Sequence, residues 1–586
     1  MTWWLQAATR FKDEQAAIAE LEANSPWLKN VSWLPGTRLE GEIHFEIEVD
    51  GGFHPMTLFY PSHFPMSPPR IVPKAPERLS GHQWNAAAGG ELCLQYRPDN
   101  WQPQVTGAMM ITSAYDLLAG ERGKNGPGIV PSAHFSSLGQ RTRGTYTRFI
   151  LPVSFRGYVE RLPEKCVQVA EFNQTFIHVT HVVVPSAFGS GDEKWRDETV
   201  PSNIFKVEGF LLKVPTEQSV SESLSNDDLI RFAEEFSHSE AAAALRSKSY
   251  LGVVITNGIE TIFGWCSEDS GARKVEWYKT IAADDAADSR LPEDYSILQT
   301  KSVCFIGCGS LGSKIASMLA RAGVGKILLV DDDIFMPVNI VRHDLDWQYV
   351  GHHKPAALRA RIKNIHPSCD VTIRTVALGG QESAQTTSEV MELMSKCDLI
   401  IEASVCPQAF NYSAAVSLKS KIPMVWAEVF AGGIGGMVAR TRPEIEPPPH
   451  VARGQILEWC NEQNVPAPGR PRRYGVEHDD GSALIADDAD VSVIASHAGR
   501  VAIDALLRRT NSIFPHPVYF IGMTKAWIFT APFDTRPVDL RPEPWKLSAD
   551  SDVDTMREVG DFLISLMPKT SNDDETDPSA QSNIQN

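Results

Sequence analysis

Two short stretches of this 586-residue sequence hold residue types that do chemistry. In GGELCLQYRPDNW, residues 89–101, Cys93 follows a glycine pair, with Asn85 eight residues before it and Trp101 eight after. A lone cysteine is a buried thiol, a metal ligand or a nucleophile, and the stretch by itself leaves these open. As a thioester-forming nucleophile it must be accessible and become a thiolate, and an amide donor such as Asn85 would stabilise the oxyanion formed when an amine attacks. The second stretch is SVCFIGCGSLGSKIASMLARAGVGKILLVDDD, where Gly307, Gly309 and Gly312 separate an apolar run from a helical pattern. Glycines there permit a tight turn and bring backbone amides close to a phosphate at a helix N-terminus. Taken alone, G-x-G-x-x-G suggests a nicotinamide oxidoreductase.

The elements that position these stretches follow from pattern. At this length the chain divides into three or four domains. A net charge of −18 disfavours a nucleic-acid partner held by phosphate contacts. No apolar run approaches the ~18 residues needed to cross a bilayer, and the N-terminus has no secretory pattern, so a cytoplasmic protein without a membrane partner is expected. Nine cysteines without C-x-x-C pairs predict reduced thiols and no structural zinc. FKDEQAAIAELEAN reads as a helix, RLEGEIHFEIEV and FHPMTLFYP as strands, and the proline-rich run over 61–76 as an ordered loop; GAMMITSAYDLLAGE returns to helical spacing. Residues 150–295 give weaker strand and helix signals and no chemical motif. SVCFIGCG, KILLVDDD, DLIIEAS and PMVWAEV are buried strands alternating with helices, the pattern of a parallel sheet. The chain beyond 540 is polar, and its end is expected to be disordered.

The order FHPMTLFYPSHFPMSPPRIV, HQWNAAAGGELCL, DNWQP resembles the ubiquitin-conjugating (E2) family over residues 1–150, with Asn85, Gly90, Cys93, Leu94 and Trp101 at the family's spacing. The resemblance implies that Cys93 is the thioester cysteine and Asn85 the oxyanion donor. Trp101 reads as core. The family's His-Pro-Asn is replaced by Gln83-Trp84-Asn85, and His82 sits one place early.

After the glycine turn, VDDDIFMPVNIVRHDLDWQYVGHHKPAAL resembles the D-x-D, N-x-x-R-Q, G-x-x-K signature of ubiquitin-activating and ThiF/MoeB-type adenylating enzymes. That resemblance implies that Asp331 binds ribose hydroxyls and that Asn339, Arg342 and Lys354 contact the phosphates of ATP, with His343 replacing the usual glutamine. The residue types suit the reaction. A carboxylate attacking the α-phosphorus builds negative charge, which fixed cations and Mg²⁺ offset. Surface charges after a Rossmann strand would explain either cation alone but not the spaced set. The family's magnesium aspartate falls at about Val405, where either Glu402, three residues before, substitutes for it or the metal is held through the ATP phosphates and waters alone; a helix-capping or core-edge acid is the plain alternative for Glu402. An activating enzyme that passes on a thioester needs its own cysteine, expected in the crossover segment about 443–490, where Cys460 stands; Cys406 is the rival.

The two resemblances in one chain are similar to the fused activating-conjugating enzymes of bacterial CBASS antiphage operons. That family implies ligation of the C-terminus of a cGAS-like nucleotidyltransferase (CD-NTase) to lysine amines of target proteins, with a homodimer formed through the adenylating domain. The expected class is therefore α/β multidomain: an N-terminal α+β ubiquitin-conjugating fold over 1–150, a middle α+β linker domain over 151–290, a doubly wound Rossmann-like adenylating domain over 291–540, and a polar, partly disordered tail over 541–586. Two other readings are the same chemistry on a small ubiquitin-like protein, and a nucleotide-binding scaffold or oxidoreductase with structural cysteines.

Overall fold

The computed structural model describes residues 2–36, 41–74, 79–83, 90–121, 138–201, 205–269, 272–282, 291–404, 406–463, 476–477, 483–484, 486–509, 511–546 and 553–566. The chain divides into two compact units, Met1–Thr145 and Tyr146–Asn586.

After a single helical turn at Trp3–Gln6, the first unit has α1 (Ala8–Asn24), followed by the strands β1 (Leu28–Leu34), β2 (Glu42–Val49), β3 (Gly52–Phe59) and β4 (Arg70–Pro73), which pair in that order as an antiparallel meander. Alternation in β2 turns Ile43, Phe45, Ile47 and Val49 inward, where they join Ile18 of α1 and Ile111, Ala114 and Leu118 of α2 (Gly107–Glu121) in one core. Four residues of the proline-rich run form β4. An edge strand tolerates its terminal Pro73, because the missing N–H faces away from the ladder. Glu14 is wholly buried beside the start of α2. Its carboxylate accepts from Tyr60 Oη (2.7 Å) and from the amide of Gly107 (2.6 Å) and pairs with Arg10 (2.8 Å). Any side chain at 107 would collide, since a Cβ there lies 2.1 Å from Tyr60 Oη.

The second unit contains two large sheets. In the first, β5 (Thr147–Leu151), β6 (Cys166–Ile177), β7 (Thr180–Phe188), β8 (Lys206–Lys213), β9 (Tyr250–Thr256), β10 (Thr261–Asp269) and β11 (Ala272–Ala282) run in the order β5-β11-β10-β9-β8-β6-β7, and β5 also pairs with β7, which closes the ring. Its interior is aromatic: Phe149, Phe172, Phe188, Phe263 and Tyr278 are all buried. Helices α3 (Asn226–Glu235) and α4 (Ser239–Ser247) pack with a second group of strand side chains, including Phe210, Leu251 and Cys266. Because β5 closes this sheet, the domain boundary expected at 150 cuts through a strand.

The second sheet takes β12 (Ser302–Ile306), β13 (Lys326–Val330), β14 (Asp370–Arg374), β15 (Leu399–Glu402), β16 (Met424–Val429), β17 (Gly435–Thr441), β18 (Val518–Gly522) and β19 (Thr535–Val538) in the order β14-β13-β12-β15-β16-β17-β18-β19. The first five are parallel and the last three antiparallel. Both faces are covered, which is why the strands read as continuous apolar runs: Val303 and Phe305 face one core, Cys304 and Ile306 the other. The connecting helices are α5 (Ser310–Arg321), α6 (Lys354–Ile365), α7 (Ala384–Met394), α8 (Pro407–Ser420), α9 (Pro449–Glu462) and α10 (Asp488–Leu507).

The expected polar tail begins later than 541. Trp545 is buried and donates to the Glu446 carbonyl (2.7 Å), and Gln455 exchanges two hydrogen bonds with Arg541. Val553–Ser565 forms a further helix, α11, with no buried residue; Val553, Met556, Val559 and Leu563 recur at helical spacing inside an otherwise polar stretch. Among the described residues no helix is long and apolar enough to cross a membrane.

Candidate active site

The strand order reverses at β12, whose neighbours are β13 and β15, so the carboxyl ends of these strands open a crevice of the kind where α/β proteins bind ligands. Gly307 ends β12 with φ +93°, a left-handed conformation glycine adopts without steric cost. A Cβ on Gly307 would lie 2.7 Å from the amide nitrogen of Ser404, and one on Gly312 would lie 2.0 Å from the carbonyl oxygen of Gly307. Gly309 differs: a Cβ there meets nothing within 4 Å. Two glycines thus close the turn on itself and on the end of β15, while the third faces open space. Gly309 also N-caps α5, and among the described residues no side chain caps that helix, so its first amides have no intrahelical partner.

The acids and cations expected beside the turn are placed in a single folded-back segment. Asp331 Oδ2 accepts from the amide of Cys308 (2.6 Å) and Oδ1 from that of Asp333 (2.8 Å), and burial pushes this carboxyl up from its ordinary range. Asp331 therefore fastens β13 to the glycine turn. Lys354, at the start of α6, pairs with Asp333, which the sequence reading passed over; the lysine lowers the Asp333 carboxyl against the opposing effect of burial. Asn339 Oδ1 accepts from the amide of Met336 (2.8 Å) and holds a short turn. Arg342 is half-buried, and no side chain among the described residues pairs with its guanidinium. Lys314 on α5 is committed to Asp488 of α10 (2.8 Å).

His343 locks the segment to the turn. It is buried, Nδ1 accepts from the amide of Leu345 (3.2 Å), and Nε2–H therefore donates to the carbonyl of Cys308 (2.8 Å). Desolvation is the main reason its pKa falls to about 4, with Lys354 adding to the decrease. The imidazole is neutral and its role is structural. Phe335, Leu345, Tyr349 and Ala357 form a small core behind it.

Glu402 closes β15. It is fully buried, its pKa raised to about 7 chiefly by desolvation, and Oε1 accepts from the amide of Ser404 (2.9 Å) and from its hydroxyl. Both bonds cap the turn that follows β15, the plain alternative expected for this acid. Val405, at the position of the family's aspartate, lies outside the described residues.

Cys406 N-caps α8 and Cys460 lies on α9, and both line one cavity of about 260 Å³ together with Glu402, Glu428 and Arg453. The two rival thiols thus belong to one site. Burial, assisted by Glu428, pushes the Cys460 thiol up to about 11, so it is not held as a thiolate. Cys406 donates to Gln408 Oε1 (3.1 Å) and stands at the N-cap of α8. The aromatic wall of this cavity, including Trp527, had no signal in the sequence, because β16, β18 and the loop after β18 assemble it from distant segments.

In the first unit Cys93 follows a bridge between Gln83 and Leu92 and is half-buried, its amide donating to the His82 carbonyl (2.7 Å). Leu92 and Leu94 are anchored in the core on either side. The displaced His82 is occupied, with Nδ1 2.8 Å from Glu121 Oε1. Trp101 packs on the core and donates to the Pro65 carbonyl (2.8 Å). Asn85 lies outside the described residues.

The family match falls in the second unit. Residues 287–462 match the model of the ThiF family. The C-terminal region carries a ThiF domain. Among curated relatives, the ATP-dependent ubiquitin transferase-like protein Cap2 of Escherichia coli (strain TW11681) is 31% identical over 123 residues, 20% of this chain and 20% of that protein. The tRNA threonylcarbamoyladenosine dehydratase of E. coli K12 is 33% identical over 148 residues, 24% of this chain and 50% of that protein. The matches to the first three curated relatives cover 28%, 20% and 22% of their lengths. Among solved structures, E. coli MccB with ATP aligns over 42% of this chain and 67% of its own at 14% identity and a TM-score of 0.32, and PaaA over 42% and 75% at 16% and 0.33. The glycine turn, Asp331, Asn339, Arg342, Lys354 and both candidate thiols of the cavity fall inside the ThiF match.

Proposed function

We propose that the protein is an ATP-dependent ligase. The ThiF domain adenylates the C-terminal carboxylate of a partner protein, a cysteine of the same domain takes the acyl group as a thioester, and Cys93 receives it before an amine attacks. The observation that carries this reading is the convergence at the carboxyl end of the sheet of a helix N-terminus beside an open Gly309, an Arg342 with no side-chain partner among the described residues, and a cavity holding two thiols. Phosphates bind at the helix N-terminus, with Arg342 as the cation free to meet them and Lys354 reaching them by leaving Asp333. The carboxylate attacks the α-phosphorus and pyrophosphate leaves; the sulfur then displaces AMP from the acyl adenylate. Magnesium travels with the triphosphate of ATP, and no step is assigned to it through Glu402.

Cys406 or Cys460 is the first acceptor, and their shared cavity makes transfer between them a short step. Cys93 is the last, in a unit whose helix, four-stranded meander and second helix support the conjugating reading. Asn85 is the proposed oxyanion donor. The partner is a CD-NTase, the acceptors are lysine amines, and the working form is a homodimer, in keeping with relatives named as ubiquitin transferase-like. The test uses Cys93→Ala in the full chain. Conjugates should vanish while ATP–pyrophosphate exchange continues at the parent rate; conjugates that persist would remove Cys93 from the relay.

A further inference from the structure

We propose that the cavity lined by Cys406 and Cys460 is a binding site for a bulky apolar side chain of the polypeptide being activated, carried a few residues before its reacting carboxylate, with Trp527 as the wall residue that reads it. The inference rests on the adenylating function proposed above and names the class of tail that this function takes.

Glu402 lines the cavity, whereas Ala403 and Ser404 press against Gly307 of the phosphate turn. Two residues of extended chain span about 7 Å. A tail whose carboxylate reaches a nucleotide at that turn therefore has its last few residues beside the cavity.

The cavity is about 260 Å³, and Phe410, Trp426, Phe430, Phe520 and Trp527 contribute to its walls. Phe430, Phe520 and Trp527 form a mutual cluster with ring centroids 5.5–6.1 Å apart. An apolar cavity of about 150 Å³ takes benzene; this one is larger, and although Glu402, Glu428 and Arg453 also line it, its aromatic wall has room for a phenyl ring. A tail of glycines alone would leave it unfilled.

Trp527 stands in the same cavity wall. Its φ is +53°, a left-handed conformation that bulky residues rarely adopt, and its Nε1–H is buried without an acceptor among the described residues. Backbone strain and an orphaned donor on the same residue persist where function holds them. A bound polypeptide offers a carbonyl at every residue. A turn of the indole as the side chain enters brings Nε1–H to one of them, which couples recognition of the side chain to recognition of the backbone.

The experiment measures binding to the full chain by calorimetry without ATP. The probes are acetyl-hexaglycine as the free acid and six derivatives, each with one phenylalanine at a successive position. One position, or two adjacent ones, should bind at least tenfold more tightly than hexaglycine. That preference should fall to less than threefold in Trp527→Ala and in Leu457→Trp, which fills the cavity from a rim residue that is 45% exposed and so tolerates the change. Trp527→Phe, which keeps a ring and loses the donor, should retain an intermediate preference. Equal binding of all seven peptides, or a preference unchanged in both cavity variants, overturns the proposal. AMP release measured separately with ATP distinguishes the two levels. A phenylalanine preference without AMP would refute adenylation and leave the pocket standing; AMP formed equally from glycine and phenylalanine peptides would refute the pocket alone.

Discussion

A Cβ added to Gly312 would lie 2.0 Å from the carbonyl oxygen of Gly307, whereas one added to Gly309, three residues away, would meet nothing within 4 Å. The two glycines therefore serve different ends, one the closure of the turn and the other the space in front of it.

Their substitutions should separate. Gly312→Ala forces backbone atoms apart and is expected to lower stability by about 2–4 kcal/mol, in line with other overpacked or strained sites, and to abolish nucleotide binding. Gly309→Ala should melt within about 2 °C of the parent, a shift below 1 kcal/mol for a chain of this size, yet bind ATP at least tenfold more weakly. Thermal melts paired with calorimetric ATP titration check both. A Gly309→Ala variant that binds ATP as the parent does would place the phosphates elsewhere.

Arg342 has no side-chain partner among the described residues, while Lys354 is held by Asp333. Arg342→Ala should accordingly leave the melting temperature unchanged and reduce ATP–pyrophosphate exchange by about a hundredfold, the usual loss on removing one donor to developing charge. Lys354→Ala should lose both stability and exchange, because it strands a partly buried carboxylate. Arg342→Ala with full exchange would exclude it from the phosphate clamp.

Acid should act on the site through His343. Its folded pKa of about 4 lies below the unfolded value of 6.5, so between these values the unfolded chain binds the proton more readily. The contribution is fully present above pH 6.5 and is lost as pH falls toward 4, by about 3 kcal/mol for that shift. His343→Gln places an amide N–H where Nε2–H stood and preserves the bond to the Cys308 carbonyl. It should flatten the loss of stability between pH 6.5 and 4.5 in urea titrations. An unaltered acid profile would mean that another group controls it.

Glu402 gives the opposite sign. With a folded pKa of about 7 against an ordinary 4.5, its neutral form favours the fold, and that advantage is lost as pH rises from 4.5 through 7. Glu402→Gln keeps Oε1 as the acceptor for Ser404. It should raise the melting temperature at pH 8 relative to the parent, change little at pH 5, and keep exchange within threefold. Loss of exchange with a normal fold would restore Glu402 as a metal ligand.

The half of this architecture that carries the ThiF match was legible because its determinants are local. A glycine turn between a buried strand and a helix is written in consecutive residues, and the spacing of Asp331, Asn339, Arg342 and Lys354 survives in one folded-back segment. What escaped is what folding brings together. Asp333 looked like one acid among three until Lys354 reached it. His343 looked like a substitution until its ring met the Cys308 carbonyl. The cavity joins Cys406, Cys460 and Trp527 from three separate elements, and no periodicity in the sequence links them. The closed β-sheet before the ThiF domain was readable only as scattered strands, since β5 lies far in sequence from its partner β11 and closure is a long-range pairing. The helix Val553–Ser565 was missed because a polar composition concealed apolar residues at 3–4 spacing.

The central claim is that ATP is spent on a polypeptide carboxylate. The most direct measurement is ATP–pyrophosphate exchange by the full chain in the presence of its partner protein, compared with the same partner amidated at its C-terminus. The account predicts exchange with the free carboxylate and none with the amide. Exchange that is absent with both, or equal with both, would contradict it.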